Sequence, residues 1–336
     1  MENIDIIDHK KLKNKKMINK SQKSVHEKCN VESKPRVGLS GPEQEIVNFI
    51  KEITDNIITN SREIIPPKEL DIFLPEHNLA IEYNGLMFHS RGISKVPMFN
   101  TPTLDKNIHL DKTNSCEAKG IHLLHIFENE WREPKLKSIW QSIIRNKLGA
   151  AKNKIGARKL AFATKEQLLK KSKAFIDENH LQGGGAVGPI RYGLVDSSGE
   201  LLALMTFGKS RFSDADYELI RFAIKKDWSI PGAASRLLKA FERDYPQKKI
   251  VSYANRRWSN GNLYKALGFE LKHISAPNFY VFKPGNFQLW HRVSFQKHKL
   301  KEKLAYFDPN QTAEWNVFQN GYRKIYDSGN YVFIKN

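Results

Sequence analysis

The stretch ELDIFLPEHNLAIEYNGLMFHS, residues 69–90, decides how the first half of this chain folds. Two short apolar runs, at 71–74 and 79–83, flank Pro75, Glu76, His77 and Asn78, which are turn-forming residue types. A four-residue loop pairs Leu74 with Leu79, Phe73 with Ala80 and Ile72 with Ile81, and so places Asp71 opposite Glu82. Directly opposed residues hold their Cβ atoms roughly 4.5–5.5 Å apart, where like charges repel. A divalent cation relieves such a pair. Mg²⁺ suits it, because that ion takes one or two carboxylates together with water and phosphate oxygens.

Working outward, EQEIVNFIKEI repeats Ile46, Phe49, Ile50 and Ile53 at helical spacing, with Glu45 on the flank of the stripe. After the hairpin and the loop RGISKVPMFNTPT, a helix is expected from about 104 to 119, ended by Gly120. IHLLHIF reads as a buried strand and PKLKSIWQSIIRNKL as an amphipathic helix. The order is helix, two or three antiparallel strands, helix, strand, helix. His109 and Lys112 share one face of the second helix, with Asp105 one turn back. His122 and His125, three apart on a strand, read as structural, as do Glu128, Glu130 and Trp131, which cap and pack the next helix.

GAAKNKIGA (149–157) marks a linker. The second half then reads as a strand (160–163), a helix with Thr164 as its N-cap, and the glycine-rich loop LQGGGAVGP. Three strands follow (IRYGLVD, LLALMTFG, YELIRFAI), then the helix of SIPGAASRLLKAFERDY, the strand IVSYA, the short helix NLYKAL and the strand FYVFK. From Gly285 the sequence is basic and aromatic with weaker periodicity, and reads as an extension over 285–336.

The 336 residues suffice for two cores, and 55 Lys+Arg against 36 Asp+Glu give a net charge of +19, which favours a polyanionic partner. The first 36 residues alone carry ten Lys/Arg against five acids, so 1–37 reads as a basic arm. No apolar run approaches the roughly 18–20 residues of a membrane span, and no apolar segment of a secretory signal follows the N-terminal charges. Cys29 and Cys116 are far apart and match no metal-ligand spacing, which points to a reducing compartment. Nucleic acid is the partner expected.

LDIFLPEHNLAIEYNGLMFHS together with HLDKTNSCEAKGIHLLHIFENEW resembles the Hef-like phage homing endonucleases. These carry a very-short-patch-repair-like nuclease core of the EDxHD group in the PD-(D/E)xK superfamily. The resemblance covers residues 38–148 and implies a Mg²⁺-dependent endonuclease acting on double-stranded DNA, cytoplasmic in a bacterial host if phage-encoded. It implies that Asp71 and Glu45 are metal-side carboxylates, Glu82 an auxiliary ligand, His89 the general acid or base and Asp111 the last acidic position. His109 and Lys112 would assist at the scissile phosphate or orient His89. Asn84 stands where the superfamily lysine would be.

The element order of 158–284 resembles the GNAT acetyltransferase fold, including the Mom-like DNA-modification proteins. Gly232, Ala233, Ala234 and Ser235 start a helix where an acyl-coenzyme A phosphate would bind, and Tyr264 in NLYKALGFE matches the family's general acid. Asn255 replaces an expected acidic residue. Arg256, Arg257 and Trp258 instead offer charge and a stacking surface to DNA, as do Arg292, Lys297 and Lys299 in the tail. The fold expected is α/β throughout: a mixed-sheet nuclease core followed by a GNAT-like domain. The function expected is DNA cleavage, with a base-modifying transferase or a non-catalytic DNA-binding protein as the alternatives.

Overall fold

The computed structural model describes residues 38–92 and 105–336; the basic arm (1–37) and most of the 91–103 loop lie outside the described residues. Helix α1 (Gly41–Lys51) starts in a capping box, with Glu43 accepting the Ser40 N–H. Its buried face is Glu43, Ile46, Val47, Phe49 and Ile50. Strands β1 (Ile58–Ile65), β2 (Lys68–Leu74) and β3 (Leu79–Asn84) form an antiparallel meander. The register at the tip is Ile72↔Ile81, Phe73↔Ala80 and Leu74↔Leu79, as the four-residue turn requires. A 3₁₀ turn over Pro75–His77 makes that loop, and Asn78 closes it in the left-handed region at φ 44°.

Helix α2 (Ile108–Glu117) returns the chain so that β4 (His122–Phe127) pairs parallel to β3, completing a sheet of order β1-β2-β3-β4. Strands β3 and β4 are buried on both faces, which is why they read as nearly unbroken apolar runs. Helices α3 (Glu128–Arg132) and α4 (Pro134–Lys147) follow.

The second half is built on seven strands. β5 (Asn153–Lys154) pairs parallel with β10 (Trp228–Ser229) outside the main sheet. β6 (Ala161–Phe162), helix α5 (Lys165–Asn179), β7 (Ile190–Val195), β8 (Leu201–Lys209) and β9 (Tyr217–Ile224) are antiparallel neighbours. Helix α6 (Ala233–Asp244) crosses to β11 (Ile250–Asn255), which runs parallel to β9. Helix α7 (Asn262–Ala266) leads to β12 (Glu270–Ile274).

Two expectations change here. FYVFK does not join this sheet. It is β13 (Phe279–Phe282), the centre of a separate three-stranded sheet with β14 (Trp290–His291) and β15 (Arg323–Tyr326). Nor is 285–336 an extension. Its last strand, β16 (Asn330–Lys335), lies between β11 and β12, giving the order β12-β16-β11-β9-β8-β7-β6. A strand paired on both sides and buried on both faces has no alternation to read, so its weak periodicity marked a central strand rather than a tail.

Residues 40–336 form one compact unit. The two halves meet through buried charge: Arg256 Nη2 lies 2.7 Å from Glu117 Oε2, and Arg257 Nη2 2.6 Å from Glu130 Oε1. Arg256 and Arg257 are only 2% and 3% exposed, so neither offers its charge to DNA. Glu130 also accepts the Trp140 indole N–H and the Phe127 backbone N–H, and the Arg257 guanidinium stacks 3.9 Å over the Phe127 ring. Among the described residues, no helix is long and apolar enough to cross a membrane.

Candidate functional site

The hairpin register continues past Ile72 into side-chain bonds. The Asp71 N–H donates to Glu82 Oε1 at 3.1 Å, and the Tyr83 N–H donates to Asp71 Oδ2 at 2.8 Å. The two carboxyl groups are thus clamped across adjacent strands. Burial, then repulsion from Glu82, pushes the Asp71 pKa well above the usual carboxylate range. Burial also raises Glu82, which is 1% exposed, against the opposing pull of Lys112.

Lys112 comes from α2, whose inward stripe is His109, Lys112, Thr113 and Cys116. Its ammonium donates to Glu82 Oε2 at 2.5 Å. Burial works to lower the Lys112 pKa, but Glu82 and Asp71 outweigh it and raise it. Asn84, where the resemblance would put a lysine, is buried and donates to the Glu82 carbonyl (3.4 Å) and to His125 Nδ1 (3.3 Å). The ammonium that reaches the carboxylates therefore comes from the helix.

One turn earlier on α2 begins a row of three histidines. His89 and His109 stack at 5.5 Å with planes 10° apart, and His125 meets His109 edge-on at 5.3 Å. His109 Nδ1 sits 2.6 Å from the Tyr326 carbonyl, an acceptor, so Nδ1 carries the proton. Burial lowers the His109 pKa to about 4, so the ring is neutral and its Nε2 is a lone pair. That lone pair faces His89 Nδ1 at 3.4 Å, a long hydrogen bond in which His89 donates. With Nδ1 donating, Nε2 is the ring atom through which His89 would exchange a proton as a general acid or base. His125 is neutral as well, its pKa lowered first by burial, with Thr113 Oγ1 2.8 Å from its Nε2. Its expected structural role takes on a second aspect here, since it walls the histidine row.

Two expected residues are not brought to this group. Glu45 lies on the outer side of α1, where it accepts from Lys137 Nζ (2.7 Å) and Trp131 Nε1 (3.1 Å). Lys137 holds its pKa below the usual value. The glutamate of α1 that faces the pair is Glu43, whose charge raises both Asp71 and Glu82. The signal was present in the sequence: Glu43, Ile46, Val47 and Ile50 follow helical spacing on one face. Asp111 is exposed, two residues and so about 200° round α2 from His109; its bonds are made by its backbone, the carbonyl accepting from Lys68 and Ser115 and the N–H donating to the Asn107 carbonyl. Tyr326, which fixes His109, carries no sequence signal, because it acts through its backbone.

Among the described residues, no group of three or more His, Cys, Asp or Glu is arranged to hold a metal ion. The Asp71–Glu82 pair still fits a Mg²⁺ ion by its chemistry, being two oxygen donors forced together with raised pKa values in a site with one compensating ammonium. In the second half, Gly232–Ser235 start α6 beside the linker: the Ala157 N–H donates to the Pro231 carbonyl and Arg236 reaches back to the Ala157 and Leu160 carbonyls. Tyr264 stands apart from that helix start, stacked on Phe333 at 4.9 Å. In the tail, Arg292 and Lys297 are exposed, while Lys299 Nζ bonds the Val293 carbonyl. Trp258 packs beside Arg257, half-buried.

No family model matches the chain, and no curated protein does. Among solved structures it is similar to a Corynebacterium glutamicum protein described as histone acetyltransferase HPA2 and related acetyltransferase. The identity is 18% and the TM-score 0.23, over 33% of this chain and 62% of that one, under two thirds of its length. So faint and partial a likeness decides neither fold nor function.

Proposed function

We propose that the protein is a Mg²⁺-dependent endonuclease of double-stranded DNA, of the homing type, acting through the hairpin site of its first half. The observation that carries this reading is the clamped, buried Asp71–Glu82 pair with Lys112 on its flank. Such a pair costs folding free energy, and carboxylates perturbed in this way cluster at functional sites. The order helix, three antiparallel strands, helix, parallel strand supports a PD-(D/E)xK-type core, and the succession of elements in 158–284 supports a GNAT-like partner that binds DNA.

In this mechanism Asp71 and Glu82 would hold the cation, with Glu43 adding negative charge behind them. When bound, the ion would supply charge neutralisation at the phosphate and an acidified water. Lys112 pulls Glu82 towards its ionised form and aims it, and occupies the role that Asn84 leaves open. His89, held through Nδ1 by His109, takes or returns the proton at the scissile phosphate through Nε2. The net charge of +19 supplies affinity that falls steeply with salt.

The test is cleavage of long double-stranded DNA by the purified chain, with Mg²⁺ and with EDTA, beside two variants. Asp71→Ala should abolish cutting while leaving DNA retention nearly intact, and His89→Ala should slow it by roughly 10²–10⁴-fold. Cutting that survives Asp71→Ala overturns the site. Retention without cutting by the wild type, on DNA that includes target regions, reduces the protein to a DNA-binding one.

A further inference from the structure

The hairpin site leaves unused a second concavity. β9 and β11 pair only through Tyr217, Glu218 and Leu219 against Ile250, Val251 and Ser252. Beyond that the two facing edges are no longer paired with each other, β9 running to Ile224 with its other edge on β8 and β11 to Asn255 with its other edge on β16. The parting opens a cavity of about 640 Å³, closed on one side by α4 from the first half of the chain. That volume is in the range of small-molecule sites.

Its lining has one sign. Among the described residues no Asp or Glu lines the cavity, whereas Lys147, Arg221, Lys225 and Lys226 do. Lys225 is paired with Glu200, and Lys226 is bonded to Ser138. Among the described residues Arg221 pairs with no carboxylate: Nη1 turns back to the Ile220 carbonyl at 2.7 Å, and Nε is buried with no partner. The nearby Glu218 is taken by Arg211, through bonds of 2.6 and 3.0 Å. Burial consequently lowers the Arg221 pKa. A partly buried guanidinium with an orphan donor calls for an anion, and phosphate is its best-matched one. The rest of the wall mixes aliphatic and uncharged polar side chains with four aromatic ones, Phe222, Trp228, Trp258 and Tyr264. Beyond Leu219 the β9 edge facing β11 offers backbone donors and acceptors in the plane of the sheet. Flat rings stack on the one and hydrogen-bond to the other.

We propose that this cavity binds a nucleotide, with its phosphate on Arg221 and Lys147 and its base between the aromatic wall and the free edge of β9. The same chemistry has two sources, a free nucleotide or one nucleotide turned out of a DNA strand. The proposal does not rest on the nuclease reading.

The test titrates the full chain, following tryptophan fluorescence, with deoxynucleoside 5′-monophosphates, inorganic phosphate, coenzyme A, and paired short duplexes that differ only in one unpaired base. Arg221→Gln is the main variant. Lys147→Gln, at the exposed end of α4, is the second should the first not fold. A monophosphate binding tighter than inorganic phosphate, weakened tenfold or more by either variant and unchanged in Asp71→Asn, supports a free-nucleotide site. If instead only the duplex with the unpaired base gains variant-sensitive affinity over its matched twin, the source is the strand. Phosphate binding as well as the monophosphates overturns the base-binding half of the claim. Coenzyme A displacing every nucleotide overturns it in favour of an acyl carrier. Binding that ignores both variants, or none, overturns it altogether.

Discussion

At the junction of the two halves, Arg257 holds Glu130 through bonds of 2.6 and 3.1 Å, and Arg256 holds Glu117 at 2.7 and 3.3 Å. At the hairpin, Asp71 and Glu82 share one ammonium and repel each other. Both places take charge out of water. In the first, every carboxylate has a guanidinium fork of matching geometry, and the result is a rivet. In the second, two negative groups have one partner, and burial pushes both towards their neutral forms. A fold that needed only cohesion would repeat the first arrangement. Keeping the second marks the hairpin as the place where an outside cation is expected.

That contrast breaks most visibly at the rivet. Arg257→Ala strands Glu130 in the interior and should lower unfolding stability by about 3–5 kcal/mol, measured by denaturant titration. A loss under about 1 kcal/mol would mean that the junction is not the strut described here. Next comes acid. The His109 pKa is depressed to about 4, so its contribution is present above the unfolded value of about 6.5 and is lost as pH falls towards 4. Replacing it with a group that does not titrate, His109→Gln, should remove on the order of 3 kcal/mol of that slope. The same variant should flatten the acid limb of cleavage and free the His89 tautomer, which ¹⁵N shifts of labelled histidine report without any activity assay.

Asp71 has the opposite sign. Its folded pKa is raised, so its favourable contribution exists below about pH 4 and is lost as pH rises through the folded value. Asp71→Asn should therefore stabilise the chain at pH 7, by about 1–4 kcal/mol, with the gain closing below pH 4. Mg²⁺ should raise the melting temperature of the wild type and not of this variant. A variant less stable than wild type at neutral pH would show that Asp71 is a structural group satisfied by Tyr83 alone.

The hairpin was legible because a four-residue turn fixes register, and register fixes which side chains oppose. Helix α2 was legible as a face, so Lys112 and His109 were found together and His89 was named beside them, while their partners, the Glu82 carboxylate and the Tyr326 carbonyl, were not. What hid was tertiary. Arg256 and Arg257 sit in a basic, aromatic run that looks like a DNA contact until the facing Glu117 and Glu130, more than a hundred residues earlier, are placed against them. Strand β16 hid because central strands lose alternation, and Tyr326 because a carbonyl has no letter. Glu43 hides for a different reason: the other members of its helical stripe are apolar, so a glutamate on that face does not read as part of it.

The choice between Glu43 and Glu45 gives the smallest and sharpest test. Glu45 makes an exposed ion pair with Lys137, and such pairs are worth about 0–1 kcal/mol. Glu45→Gln should change stability by no more than about 0.5 kcal/mol and leave cleavage within about twofold. Glu43→Gln keeps an oxygen for the Ser40 N–H but removes the charge that helps raise Asp71 and Glu82. It should weaken Mg²⁺ dependence and cleavage by about tenfold, the worth of about 1.4 kcal/mol at the cation. The two residues are two positions apart, so on a helix they face opposite ways. If cleavage follows Glu45 and ignores Glu43, α1 presents its other face to the hairpin, and the charge arrangement proposed for the site is wrong even if the enzyme still cuts.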